Sequence, residues 1–255
     1  MNFCTNTRNT RRSTLVLTSM CVLLSAFQSM GQANSKFEPR YHSLYLTART
    51  NWTANATNST AAWEFSRATF DLAEFATNGT KRAQLAVEGI DAARAAIRLN
   101  EQSAAANYYL AMNLGQLART KLLGALKLVG EMEKHFTLAA ALDPSFDYGG
   151  PDRNLGVLYR EAPGWPASIG SRAKAKVHFK KAVELAPAYP ANHLELLQAQ
   201  IDWNENRAAE KMLPVVEGCI VAAKAEFAGE NWEWAWDDWS QLWERLQARV
   251  RKNSQ

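Results

Sequence analysis

The chain has 255 residues, 47% of them hydrophobic, with 29 Lys and Arg against 25 Asp and Glu. Length and apolar content suffice for a packed core and allow one domain or two. Three of the basic residues (Arg8, Arg11 and Arg12) and none of the acids precede residue 34, so the remainder carries 26 − 25 = +1, which gives no argument for nucleic acid.

Residues 1–33 have the layout of a signal peptide. Arg8, Arg11 and Arg12 precede an apolar, uncharged run from Leu15 to Phe27, and the polar, small-residue segment Gln28 to Ser35 follows it. The run is shorter than the ~20 residues of a membrane span. Cleavage is expected after Ala33, or alternatively after Gly31, and an uncleaved anchor is the competing reading. Cleavage predicts a periplasmic or otherwise exported protein that meets the membrane only through this transient segment. Of Cys4, Cys21 and Cys219 only the last would survive, so the mature chain forms no internal disulfide. Cys219, between Gly218 and Ile220-Val221, reads as a buried core cysteine.

Residues 34–62 are polar and rich in Asn, Thr and Ala, with scattered aromatics at Tyr41, Tyr45 and Trp52, and they read as an arm or loosely packed lead-in. Sequons begin at Asn51, Asn55, Asn58 and Asn78, triplets that also arise by chance in Asn/Thr-rich sequence.

From Trp63 onward strand signals are almost absent, and Ala/Leu-rich stretches of helical period alternate with Pro, Gly or Asn punctuation. Gly89, Ala93, Ala96 and Glu101 recur 43 residues later as Met132, Phe136, Ala139 and Pro144. The series continues as Ala175, Phe179, Ala182 and Pro187, then as Gly218, Ala222, Ala225 and Glu230. Spacings of four and three place each set on one helical face. The pattern resembles the second helix of a tetratricopeptide repeat, and Leu114-Gly115, Leu155-Gly156 and Tyr159 resemble its first helix. The resemblance implies an all-α fold, a tetratricopeptide-like helical-hairpin solenoid of about four repeats over residues 63–231 with a C-terminal capping helix over 232–255. One hairpin cannot bury its own apolar stripe, so hairpins stack into a curved array with a concave groove.

Tyr148-Gly149-Gly150-Pro151, Leu155-Gly156, Ala162-Pro163, Gly170, Ala175, Phe179, Ala182, Leu185 and Pro187 together resemble the T-component family of TRAP transporters. That likeness implies an exported, oligomer-forming subunit that handles a small ligand beside the transporter's substrate-binding subunit.

Two candidate sites follow. Tyr148, Asp152, Arg153, Tyr159 and Trp165 combine aromatics and charge in a loop-helix-loop segment, and Gly149-Gly150-Pro151 would leave backbone donors at a helix start where an anion could sit. Trp232, Trp236, Trp239 and Trp243, spaced four, three and four, form one face that either docks a partner or packs the capping helix on the last repeat. His42, His135, His178 and His193 fall in no metal-ligand spacing, and neither a nucleophile elbow nor a phosphate loop occurs. No enzyme activity, catalytic residue, metal or cofactor is therefore expected. The two functional readings are a transporter accessory and a scaffold gripping a peptide or partner protein in the groove, with self-association expected under the first.

Overall fold

The computed structural model describes residues 36–121 and 124–253. Its helices are α1 (Glu38–Ala54), α2 (Ser59–Ala73), α3 (Gly79–Leu99), α4 (Ala104–Ala118), α5 (Ala125–Leu142) and α6 (Phe146–Glu161). They continue as α7 (Arg172–Leu185), α8 (Pro190–Asp202), α9 (Asn206–Glu226), a 3-10 turn (Glu230–Trp232) and α10 (Glu233–Asn253). Side-chain caps start several of them. The oxygens of Asn58, Asn78, Ser103 and Ser171 accept from backbone N–H groups two or three residues on, which would otherwise lack partners.

Helices pair in sequence as α2/α3, α4/α5, α6/α7 and α8/α9, and α10 packs beside α8. The result is an all-α tetratricopeptide-like array of four hairpins and a final helix. Successive first helices (α2, α4, α6, α8, α10) also touch one another, whereas successive second helices share no comparable contact. The first helices therefore lie on the inside of the curve.

The repeated stripe is the hairpin interior. Phe179, Ala175 and Ala182 in α7, Phe136 and Ala139 in α5, and Ala93 and Ala96 in α3 are all buried. Two glycines set the helix spacing. A Cβ on Gly156 would lie 2.6 Å from the Phe179 ring, and one on Gly89 would lie 2.3 Å from Thr69 and 2.4 Å from Asn113. Gly115, expected as the partner of Gly156, is not such a position: a Cβ there would meet only the flexible end of Met132, at 3.2 Å.

The fourth copy of the repeat needs correction. Gly218, Ala222 and Ala225 are exposed, and the buried face of α9 consists of Ala209, Val216 and Ala223. The N-caps Ser171 and Glu205 of α7 and α9 stand 34 residues apart, the ordinary tetratricopeptide period. The extra residues that lengthen the earlier repeats are absent between these two helices, so extrapolating 43 residues lands on the wrong face. Cys219 accordingly is only half-buried, with its thiol donating to the carbonyls of Pro187 and Ala188.

The segment read as a loose arm is mostly helix. Tyr41, Tyr45, Ala48 and Trp52 recur at four, three and four on α1 and pack on Phe65, Leu72 and Leu85. Polar residues between them mask this periodicity in composition. Residues 1–33, including the expected signal and its cleavage point, lie outside the described residues, and no described helix is long and apolar enough to cross a membrane.

Candidate functional site

The two ends of the array meet. Trp234 at the start of α10 lies edge-on to Tyr41 and Phe75, each at 6.0 Å. Arg40 donates to the Glu230 carbonyl and Asn231 Oδ1 at 3.0 and 2.6 Å, and Lys36 pairs with Asp237 at 3.4 Å. In an open solenoid each unit touches only its neighbours, so these contacts show that the curve brings α10 round to α1 and bounds an inner recess.

Five first helices face that recess. On α2, Trp63 stacks on Tyr109 of α4 with ring centres 6.0 Å apart and 3° between planes, and Arg67 pairs with Asp71 at 3.5 Å. Burial, aided by Asp147 and Glu74 and opposed by Arg67, pushes the Asp71 carboxyl up to about 6. On α10, burial and Glu195, opposed by Arg245 and reinforced by Glu74, push Asp238 up to about 6 as well. Carboxylates from α2, α6, α8 and α10 thus feel one another across the recess. In water such repulsion is modest, and in a crowded recess it is larger.

Other inner-face charges are consumed by structure. Arg119 binds both oxygens of Glu74 at 3.2 and 3.1 Å, and Arg160 pairs with Glu161 and Glu195 at 2.7 and 2.8 Å. Beside them α4, α5 and α6 line a partly open cavity of about 180 Å³, with Met112, Val129, Met132, Phe136, Val157 and Leu158 on its walls.

The residues singled out in the sequence fall into four groups. Arg153 is a backbone clamp. Asp147, Tyr148 and Gly149 have φ of 49°, 56° and 74°, a strained left-handed run for the first two. Arg153 holds it by donating to the carbonyls of Asp147 and Tyr148 at 3.2 and 3.3 Å and to Asp147 Oδ2 at 2.7 Å, while Asn192 donates to the Tyr148 carbonyl at 3.0 Å. The helix start at Gly150, expected as an anion seat, is already occupied by the chain's own acid: a Cβ on Gly150 would lie 2.7 Å from Asp147 Oδ2.

Asp152 and Tyr159 tie α6 to its neighbours. Asp152 is wholly buried between His178 Nδ1 at 2.8 Å and Lys181 Nζ at 2.9 Å. Burial alone would raise its carboxyl, but hydrogen bonds from these two partners outweigh burial and hold it below the usual range. Tyr159 is buried, donates to Glu133 and stacks on His178.

Tyr148 joins the tryptophan stripe. It stacks on Tyr189 at 4.6 Å and lies 5.8 Å from Trp232, and Trp239 is 4% exposed against Tyr189 and Phe227. Trp236 donates to the Phe227 carbonyl at 2.6 Å, and Trp243 packs on the same cluster. These four indoles form an internal contact between α10 and the last hairpin. Trp165 stands apart, 88% exposed.

Trp63, Arg67, Asp71, Asp147, Glu195 and Asp238 were not singled out in the sequence. A signal did exist on α2: the helix is buried almost all round, and Trp63, Arg67, Phe70, Asp71 and Glu74 occupy the remaining stripe at helical spacing. Among the described residues no group of three or more His, Cys, Asp or Glu is arranged to hold a metal.

The family model described as regulator of microtubule dynamics protein 1-3 matches residues 26–148, just under half of the chain. No curated protein matches the sequence. Among solved structures, a thermophilic TPR protein of Thermus thermophilus superposes with a TM-score of 0.58 at 13% identity, covering 91% of this chain and 97% of that one. The MamA protein gives a TM-score of 0.50 at 13% identity, covering 83% and 97%. At these identities the likeness establishes the tetratricopeptide-like fold.

Proposed function

We propose that this protein is a non-enzymatic interaction scaffold that holds a cationic segment of a partner protein against the inner face of its repeats. The supporting observation is the pair Asp71 and Asp238, each pushed up to about 6 in a recess shared with other carboxylates. Glu74 acts on both carboxyls, and a Lys or Arg side chain entering the recess would favour their charged forms. The reading agrees with the general use of helical-repeat arrays.

The transporter-accessory reading has weaker support. Leu155, Gly156, Ala175, Phe179 and Ala182 are buried packing residues, which any tetratricopeptide-like hairpin needs. Export remains part of the proposal, carried by Arg8, Arg11, Arg12 and the apolar run to Phe27; N-terminal sequencing of the purified chain reads cleavage after Ala33. The matched family's name speaks of microtubule regulation, and cell fractionation separates that setting from an exported one.

The test is titration of a Lys/Arg-bearing helical peptide onto the purified protein and onto Asp71→Asn with Asp238→Asn. The proposal expects salt-sensitive binding weakened roughly tenfold or more in the double variant. Equal affinity in both proteins, or preference for an acidic peptide, would refute it.

A further inference from the structure

A second surface lies at the edge where each first helix turns into its second. The first turns of α3, α5, α7 and α9 contain no acid, although a helix start favours one. This edge instead exposes Lys81, Lys121, Lys127 and Arg207, which form no ion pair among the described residues. The acids nearby are engaged: Glu205 by Arg172 and Lys176 at 2.6 and 2.8 Å, and Glu74 by Arg119 at 3.1 Å. Contacts run from turn to turn along the edge. Glu74 to Arg119 links the first two turns, Lys121 and Ala162 border one cavity, and Arg172 donates to the Trp203 carbonyl.

From the third turn projects the loop 162–171, which contains no charged residue. It is held in shape by Gly170 N–H donating to the Pro163 carbonyl and Ser171 N–H to the Tyr159 carbonyl, both at 2.9 Å. The strands of the loop cross so closely that a Cβ on Gly170 would lie 1.9 Å from the Ala162 carbonyl oxygen. This pinned loop presents Trp165 at 88% exposure, the most exposed large apolar side chain described. The indole adds nothing to the core, so its position needs another account.

We propose that this edge docks on an anionic membrane surface, with Trp165 seated among the lipid headgroups and the unpaired lysines and Arg207 meeting anionic lipid. An indole on an uncharged loop suits the boundary between headgroup and acyl chain, and basic residues beside it are drawn to a negative leaflet. Nucleic acid would be served by the charge but not by a rigid apolar loop. Net charge from residue 34 onward is only +1, 26 − 25, so the basic edge reflects segregation of charge rather than overall excess. Docking here would leave the inner recess open to a partner, because Trp165, Lys81, Lys121, Lys127 and Arg207 are distinct from the recess residues Trp63, Asp71 and Asp238.

The test uses the chain from residue 34, which contains the whole described fold, in flotation with phosphatidylcholine vesicles with and without phosphatidylglycerol. The expected result is binding to the anionic vesicles alone, lost at high salt. Lys121→Gln with Lys127→Gln should lower partitioning roughly tenfold, and Trp165→Ala should lower it severalfold with an unchanged circular dichroism spectrum. Absence of binding, equal binding to neutral vesicles, or binding indifferent to these substitutions overturns the proposal. Binding to duplex DNA through the same residues, with no vesicle binding, overturns it in favour of nucleic acid.

Discussion

The first and third hairpins share one plan and treat charge in opposite ways. In α6/α7 each inner or interfacial ion is met by a specific partner: Arg153 by Asp147, Arg160 by Glu161 and Glu195, Asp152 by His178 and Lys181. In α2, Asp71 has Arg67, whose side chain is 57% exposed, and still its carboxyl is pushed up to about 6. The first arrangement is what a fold needs to hold a left-handed turn and an inserted loop. The second leaves charge to be answered from outside, so the richer sequence segment is structural and the plainer helix carries the candidate surface.

The largest effect that tests this contrast is in the third hairpin. Phe179 is wholly buried, and Phe179→Ala should cost about 3–5 kcal/mol of stability in urea denaturation. A loss under about 1 kcal/mol would mean the hairpin interior is not the stripe described. Next comes a pair of glycines. Gly156→Ala should cost about 1–3 kcal/mol, because its Cβ would enter the Phe179 ring. Gly115→Ala should be near neutral or stabilising by up to about 1 kcal/mol, as helix propensity favours Ala and Met132 can yield. Equal costs would restore the symmetric placement of the two Leu-Gly pairs.

Asp71→Asn, by contrast, should leave the melting temperature unchanged or slightly raised while weakening a cationic peptide about fivefold, on the order of 1 kcal/mol. The pH dependence sharpens the same point. Asp71 and Asp238 titrate near 6 in the folded chain, above the unfolded value of about 4, so between these values the folded state binds more protons. Their cost to stability is therefore full above pH 6 and fades as pH falls toward about 4. Over the same interval a cationic partner should lose affinity, measured by titration at pH 7 and pH 5. Asp152 runs the other way: its stabilisation is present above the unfolded carboxylate value and is lost only as pH falls through its lower folded value. The smallest effect is Ala222→Gln, expected within about 0.5 kcal/mol because Ala222 is exposed.

The repeat architecture was legible because Ala175, Phe179 and Ala182, like Phe136 and Ala139 43 residues before the last two, are spaced for one helical face and are buried. The fourth copy misled because small residues at the right spacing also occur on the exposed face of an Ala-rich helix, where Ala222 and Ala225 lie. Helix α1 was hidden because mostly polar residues separate its four contact residues, and the two leucines between them, Leu44 and Leu46, are exposed. The inner face was hidden for a different reason: Asp71 and Asp238 are 167 residues apart, and only the curvature that brings Trp234 against Phe75 lets Glu74 act on both. Trp165 was picked out as an aromatic in a loop, yet its exposure depends on how tightly Gly170 crosses Ala162, which spacing does not reveal.

The central claim is that the inner face, and not the outer helices, receives the partner. Hydrogen exchange of the protein saturated with the Lys/Arg-bearing peptide tests it most directly. Binding at the inner face predicts new protection in α2, in α4 and in the first turns of α10, with α3, α5 and α7 unchanged. Protection confined to the outer helices, or to none, would contradict it.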